Sequence, residues 1–186
     1  MNLKNTADRW GIVSQLLHWL VVLLILAAAT LGLVMDGLSR TPKYFWVWTT
    51  HKSIGITVLA LMLLRLAWRL YAGAPAPVPG PPPWQARLAS ITHWLLYLAA
   101  LAMPFSGWLY DSASGLRPFR LFGLFDMPKL VAPSETLANA AHEAHELLFL
   151  ALVGLVALHA GAALWHHLFQ RDDTLRRMLP GHAPRG

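Results

Sequence analysis

Apolar residues along this chain fall into four long runs, separated by stretches where prolines, glycines and charges collect. The runs extend over about Trp10–Met35, Trp48–Tyr71, Leu88–Tyr110 and His142–Phe169. Each can cross a hydrocarbon layer of ~30 Å, which takes ~20 residues of helix. The pattern predicts an all-α fold: an integral membrane four-helix bundle, with residues 1–186 forming one domain. The first run carries a small-residue site at Ala27-Ala28-Ala29, as a cleaved signal peptide would. Its apolar character continues through Met35, however, and polar Gln15 and His18 interrupt it, so it is expected to remain in the mature protein.

The connections have their own signatures. Ala74–Pro83 holds six of the thirteen prolines and is expected to be extended and polyproline-like. Asp111–Ala141 is the longest connection, with room for a short interfacial helix. Tyr44, Phe45, Trp46 and Trp48 form an aromatic belt at one edge of the second span, and Pro104 is expected to bend the third. With both termini inside, nine of fifteen basic residues lie on the inner side: Lys4, Arg9, Arg65, Arg69, Arg87, Arg171, Arg176, Arg177 and Arg185. Arg40, Lys43, Lys52, Arg117, Arg120 and Lys129 lie outside. That bias favours cytoplasmic termini.

Composition sharpens this picture. Of the 186 residues, 56% are hydrophobic and 13% charged, well below the roughly 25% charged of soluble domains. The net charge of +6 is scattered over span ends, which suits lipid headgroups and does not suggest nucleic acid. Absence of cysteine excludes iron–sulfur clusters, thiolate catalysis, disulfides and covalent c-type haem.

The candidate chemistry lies in the histidines. His145 and His159 are fourteen residues apart on one run. At about 100° per residue they return to nearly the same helix face, about 21 Å apart along the axis. His18 lies about 12 Å inward of Trp10 and His159 about 15 Å from Phe169, so their depths nearly match. His51 and His145 sit near the other ends of their spans. Two depth-matched pairs result, His18 with His159 and His51 with His145. A haem iron takes two axial ligands on opposite faces of a flat macrocycle, which facing helices can supply. A single zinc ion would need ligands converging at one point, which this spacing prevents. Two bis-histidine b haems are therefore expected.

The remaining polar residues in or near the spans are assigned by phase. His142 is the rival of His145 but lies about 100° off the face of His159. His166 continues that face, suiting a haem propionate, a quinone or simple interfacial exposure. His93 and His167 read as interfacial or packing groups. Arg65 and Arg69, four apart, suit propionates or lipid headgroups. Lys52 suits a propionate, an incoming anion or a headgroup. Gly55, Gly107, Gly154 and Gly161 allow close approach of helices or of a macrocycle.

Several segments resemble the bacterial di-haem cytochrome b561 family: His18-Trp19-Leu20, His51-Lys52-Ser53-Ile54-Gly55, His93-Trp94-Leu95-Leu96-Tyr97 and Pro104-Phe105-Ser106-Gly107. So do His145-Glu146, Leu158-His159-Ala160, His166-His167, Asp173-Thr174-Leu175 and Met178-Leu179-Pro180. The resemblance implies a bacterial inner-membrane protein with two b haems on His18, His51, His145 and His159. One branch of that family oxidises superoxide at the outer face and reduces ubiquinone, and His166-His167 is similar to the region implicated there in quinone contact.

The expected activity is thus a superoxide:ubiquinone oxidoreductase, with Lys52 at the outer mouth. Lys129, Arg117 and Arg120 are further candidates for that mouth. A different class of function is a haem-bearing membrane anchor that relays electrons from a periplasmic redox partner, such as a dehydrogenase or hydrogenase subunit. A third is a histidine-based proton or metal transporter, which broken helices and repeats would accompany. The sequence shows no internal repeat.

Overall fold

The computed structural model describes residues 2–39, 41–79 and 82–181. Arg40, His182 and Arg185 lie outside those residues, as do Gly80 and Pro81 of the proline-rich connection. Four long apolar helices are packed together: α1 Ile12–Asp36, α2 Phe45–Ala72, α3 Pro83–Ala113 and α4 Glu135–Trp165. All four are long and apolar enough to span a membrane. Six of the eight observed ends lie one to seven residues beyond the expected ones, whereas α1 begins at Ile12 and α4 gives way to a π-helical turn after Trp165.

Local chemistry sets the helix limits. Gly37 follows α1, and a 3₁₀ turn at Pro42–Tyr44 leads into α2. Gly73, at φ 71°, ends α2 in the left-handed conformation that glycine adopts without a Cβ penalty. Pro83 opens α3 at a position where its missing N–H costs nothing. Ser134 caps α4: its hydroxyl accepts the Leu137 N–H at 3.3 Å, and Glu135 stands in the first turn. α3 continues through Pro104. Past Trp165, α4 widens into a π-helical turn, His166–Gln170, closed by Arg171 at φ 53°.

The helices divide into two compact units. The first holds Met1–Leu20, Leu63–Ala99 and Ala151–Gly186. Here the N-terminal segment, the connection after α2 and the C-terminal segment are knitted by hydrogen bonds. The Gln15 amide, almost fully buried, donates to the Trp10 and Arg177 carbonyls, the Trp19 indole to Met178 and the Arg177 guanidinium to Ala76. Asn5 ties Gly11, Ser14 and Gly73 together.

The second unit holds Val21–Met62 and Ala100–Leu150. About half of its buried positions are small or hydroxylated: Ala100, Ala113, Ala138, Ala141, Ser53, Ser106 and Ser112. Small residues let helix backbones approach closely in lipid, where packing replaces the hydrophobic drive. The connection between α3 and α4 holds a two-stranded antiparallel ribbon, β1 Arg120–Leu121 with β2 Phe125–Asp126, and no helix. Pro118, Pro128 and Pro133 break up any helical run there, and Phe122 and Gly123 take positive φ to turn the ribbon.

Candidate functional site

The second unit brings His51 and His145 together, with ring centroids 6.2 Å apart and planes inclined at 77°. Each ring is seated by the same device. His51 Nδ1 lies 2.9 Å from the Ala28 carbonyl oxygen, and a Cβ added at Gly32, one turn along α1, would meet the ring at 3.3 Å. His145 Nδ1 lies 2.9 Å from the Met103 carbonyl oxygen, and a Cβ at Gly107 would meet that ring at 2.9 Å. A carbonyl can only accept, so both Nδ1 atoms carry the proton and Nε2 keeps its lone pair. Ser106 reinforces the second seat: its hydroxyl donates to Met103 O at 2.7 Å and lies 3.1 Å from His145 Nδ1. Such outer bonds fix the tautomer and raise the basicity of a metal ligand.

His142, the rival in phase, stands elsewhere. It packs on the Tyr110 ring at 4.8 Å and approaches Glu146 at 3.6 Å, about half exposed. Lys52 is paired within the protein. Its Nζ bonds Asp111 at 2.7 Å, and Lys129 bonds the other carboxylate oxygen at 2.8 Å and the Asp111 carbonyl at 2.7 Å. The Asp111 side chain is only 3% exposed, so two cations share one buried carboxylate and leave a net positive charge. Asp111 was missed because its role depends on a lysine from α2 and another from the following connection.

The first unit brings His18 and His159 together at 6.2 Å, planes at 82°. His93 adds a third imidazole, 5.3 Å from His159 and edge-on to it. Its partner on α4 was not legible in the sequence, which read it as an interfacial or packing group. Arg65 lies over the Tyr97 ring at 5.9 Å, with Nη1 buried and lacking a hydrogen-bond partner. Arg69 turns away, over Trp10 at 4.9 Å and toward the Gly73 carbonyl. Gly55, Gly154 and Gly161 face open space, with no protein atom within 4 Å of an added Cβ.

At the π-helical end of α4, His166 Nδ1 and Asp172 Oδ2 are 2.5 Å apart. Burial would raise the Asp172 carboxyl, but hydrogen bonds from the Thr174 backbone N–H and from His166 outweigh it and hold the group below its ordinary 3.8. The π turn forms this pair by bringing Asp172 back beside the ring, since the Arg171 and Asp172 N–H groups both reach the His166 carbonyl. Such a turn leaves no mark in hydropathy.

The two imidazole pairs share one spacing. At 6.2 Å between ring centroids, each pair would leave room for a metal ion that both imidazoles would hold. No group of three or more His, Cys, Asp or Glu side chains converges on a single ion among the described residues. His18 with His159 and His51 with His145 would suit the iron of a haem, which takes two protein ligands and would supply one-electron chemistry. The orphaned guanidinium nitrogen of Arg65 suits a carboxylate beside the first pair.

Comparison with known proteins shows the family. A sequence model of the family described as prokaryotic cytochrome b561 matches residues 9–181. Cytochrome b561 homolog 2 of Escherichia coli (strain K12) is 36% identical over 184 residues, 96% of this chain and 95% of the relative. Cytochrome b561 homolog 1 of the same organism is 35% identical over 175 residues, 93% of this chain and 98% of the relative. The probable superoxide oxidase CybB of Yersinia pestis is 36% identical over 166 residues, 88% of this chain and 92% of the relative.

Proposed function

Because the chain belongs to the prokaryotic cytochrome b561 family, we propose that it binds two b haems and transfers electrons from superoxide to ubiquinone. The haems would be held by His18 with His159 and by His51 with His145. The observation that carries this reading is the shared 6.2 Å separation of the two imidazole pairs. When bound, a b haem supplies one-electron chemistry and spares the protein a nucleophile or general base. Net reaction converts two superoxide anions to dioxygen, while one ubiquinone gains two electrons and two protons.

The chain's own residues have distinct tasks in this scheme. The seats at Ala28–Gly32 and Met103–Gly107 fix ring orientation and tautomer. Arg65 offers its unpartnered nitrogen to a propionate, and Arg69 reinforces the positive field beside it. Lys52 and Lys129, sharing Asp111, keep the far end of the bundle positive and raise the local concentration of a small anion. His166, held by Asp172, stands at the opposite end of α4, where we place quinone contact. We place both termini in the cytoplasm of a bacterium, with the Lys52 end facing the periplasm and the helices in the inner membrane.

Stopped-flow mixing of the oxidised, haem-loaded protein with superoxide tests this reading. Reduction of haem absorbance should outpace spontaneous superoxide decay, and added ubiquinone should reoxidise the protein. Absence of any haem reduction by superoxide would refute the donor and point instead to a protein donor.

A further inference from the structure

The ribbon between α3 and α4 presents an apolar tip. Phe122, Leu124 and Phe125 are 55%, 72% and 53% exposed at adjacent positions of one turn. In a soluble segment such a cluster would be anomalous. Phe122 also holds φ 46°, a conformation uncommon for a bulky residue, which directs the turn together with Gly123 at φ 77°.

Three ties set the depth of this segment beside the helices. The Phe122 N–H donates to Ser53 Oγ at 3.0 Å. Ser53 lies seven residues into α2 beyond Trp46, about 10 Å along the axis. The Trp108 indole donates to the Pro128 carbonyl at 3.0 Å, from a position about 7.5 Å short of the end of α3. Lys129 is pinned to Asp111, also within α3. The segment therefore folds back along the helices and does not extend beyond their ends. Trp46 and Phe45, exposed on α2, mark the interface level farther out.

A haem is not what covers this tip. Ser53 lies two residues after His51, about 200° around α2, so the ribbon is on the far side of that helix from the histidine pair. Arg117 beside the apolar tip is exposed and complements anionic headgroups above buried acyl chains, whereas Arg120 is held within the ribbon by Asp126 at 3.8 Å and by the Leu124 carbonyl at 3.1 Å.

From these relations we infer that the ribbon 120–126 is a re-entrant interfacial anchor, with Phe122, Leu124 and Phe125 inserted at the boundary between lipid headgroups and acyl chains. The exposed Arg117 beside it meets lipid phosphates. The occupant of the apolar tip is lipid, and the tip fixes the height of the Lys52–Asp111–Lys129 cluster relative to the membrane surface.

The chain has no cysteine, so a single introduced thiol reports on one place. Leu124→Cys and the control Ala132→Cys would each be prepared haem-loaded, one chain per nanodisc of phosphatidylcholine and phosphatidylglycerol. A charged maleimide should label Cys at 124 severalfold more slowly than at 132, and equally fast once both are unfolded in dodecyl sulfate. In parallel, phosphatidylcholine with a diazirine near the glycerol end of its acyl chain should photo-label wild-type residues 120–126. Equal maleimide rates in nanodiscs would overturn the anchor. So would slow labelling at 124 without any lipid adduct on the ribbon, since protein would then be the cover.

Discussion

A side-chain carbon placed at Gly107 would stand 2.9 Å from Cε1 of His145, closer than real Cβ contacts come. The glycine and the carbonyl of Met103 form one seat: the carbonyl orients Nδ1, and the missing side chain leaves room for the ring. Gly107→Ala must therefore displace His145, and cavity relief is blocked because the same ring is bonded to the helix backbone. This variant is expected to lose the haem of the second unit while retaining the other. Gly32→Ala, at 3.3 Å from His51, should shift the potential of the same haem with smaller loss. Haem content and redox titration of the two variants check this. Unchanged haem and potentials in Gly107→Ala would mean that the ring is not a ligand.

The Lys52–Asp111–Lys129 cluster makes opposite predictions for stability and for electron uptake. Asp111→Asn strands two cations beside a nearly buried site. The cost should be about 2 kcal/mol, between that of an exposed pair and that of a fully buried one. Thermal unfolding should report it as a lower midpoint. The net charge of the cluster rises by one, so superoxide should react faster at low salt, with the gain shrinking as ionic strength increases. A slower reaction at low salt would place the anion's approach elsewhere.

Asp172 gives a pH dependence outside the membrane span. Its carboxyl is held below 3.8 in the folded chain, so the unfolded state binds the proton more readily. The stabilisation is present above the unfolded value and fades as pH falls through the lower, folded value. The turn after α4 should therefore loosen only at pH below about 3.8. Hydrogen exchange at the Thr174 amide, bonded to Asp172 Oδ1 at 2.8 Å, reports this directly. Asp172→Asn should abolish the transition; its persistence would assign the pH dependence to another group.

Much of the architecture was legible because it rests on periodicity. Fourteen residues from His145 to His159 and the apolar runs around them require no tertiary information. The seats were not legible. Ala28 and Gly32 acquire meaning only when α2 places His51 against that turn of α1, and a carbonyl acceptor has no sequence signature. The longest connection defeated helix expectations for a related reason: its proline breaks and the positive φ at Phe122 favour a ribbon, and Ser53 fixes where it lies. Of the glycines singled out in advance, Gly107 is pressed against a ring, whereas Gly55, Gly154 and Gly161 meet no protein atom.

Two independent imidazole pairs should hold two haems, and the haem-to-protein ratio reads that number. Pyridine haemochrome assay against quantitative amino-acid analysis should give two b haems per wild-type chain. His18→Ala, His159→Ala, His51→Ala and His145→Ala should each give one, whereas His142→Ala, whose ring lies on Tyr110, should keep two. A wild-type ratio of one, or loss of haem in His142→Ala with full retention in His145→Ala, would contradict the account.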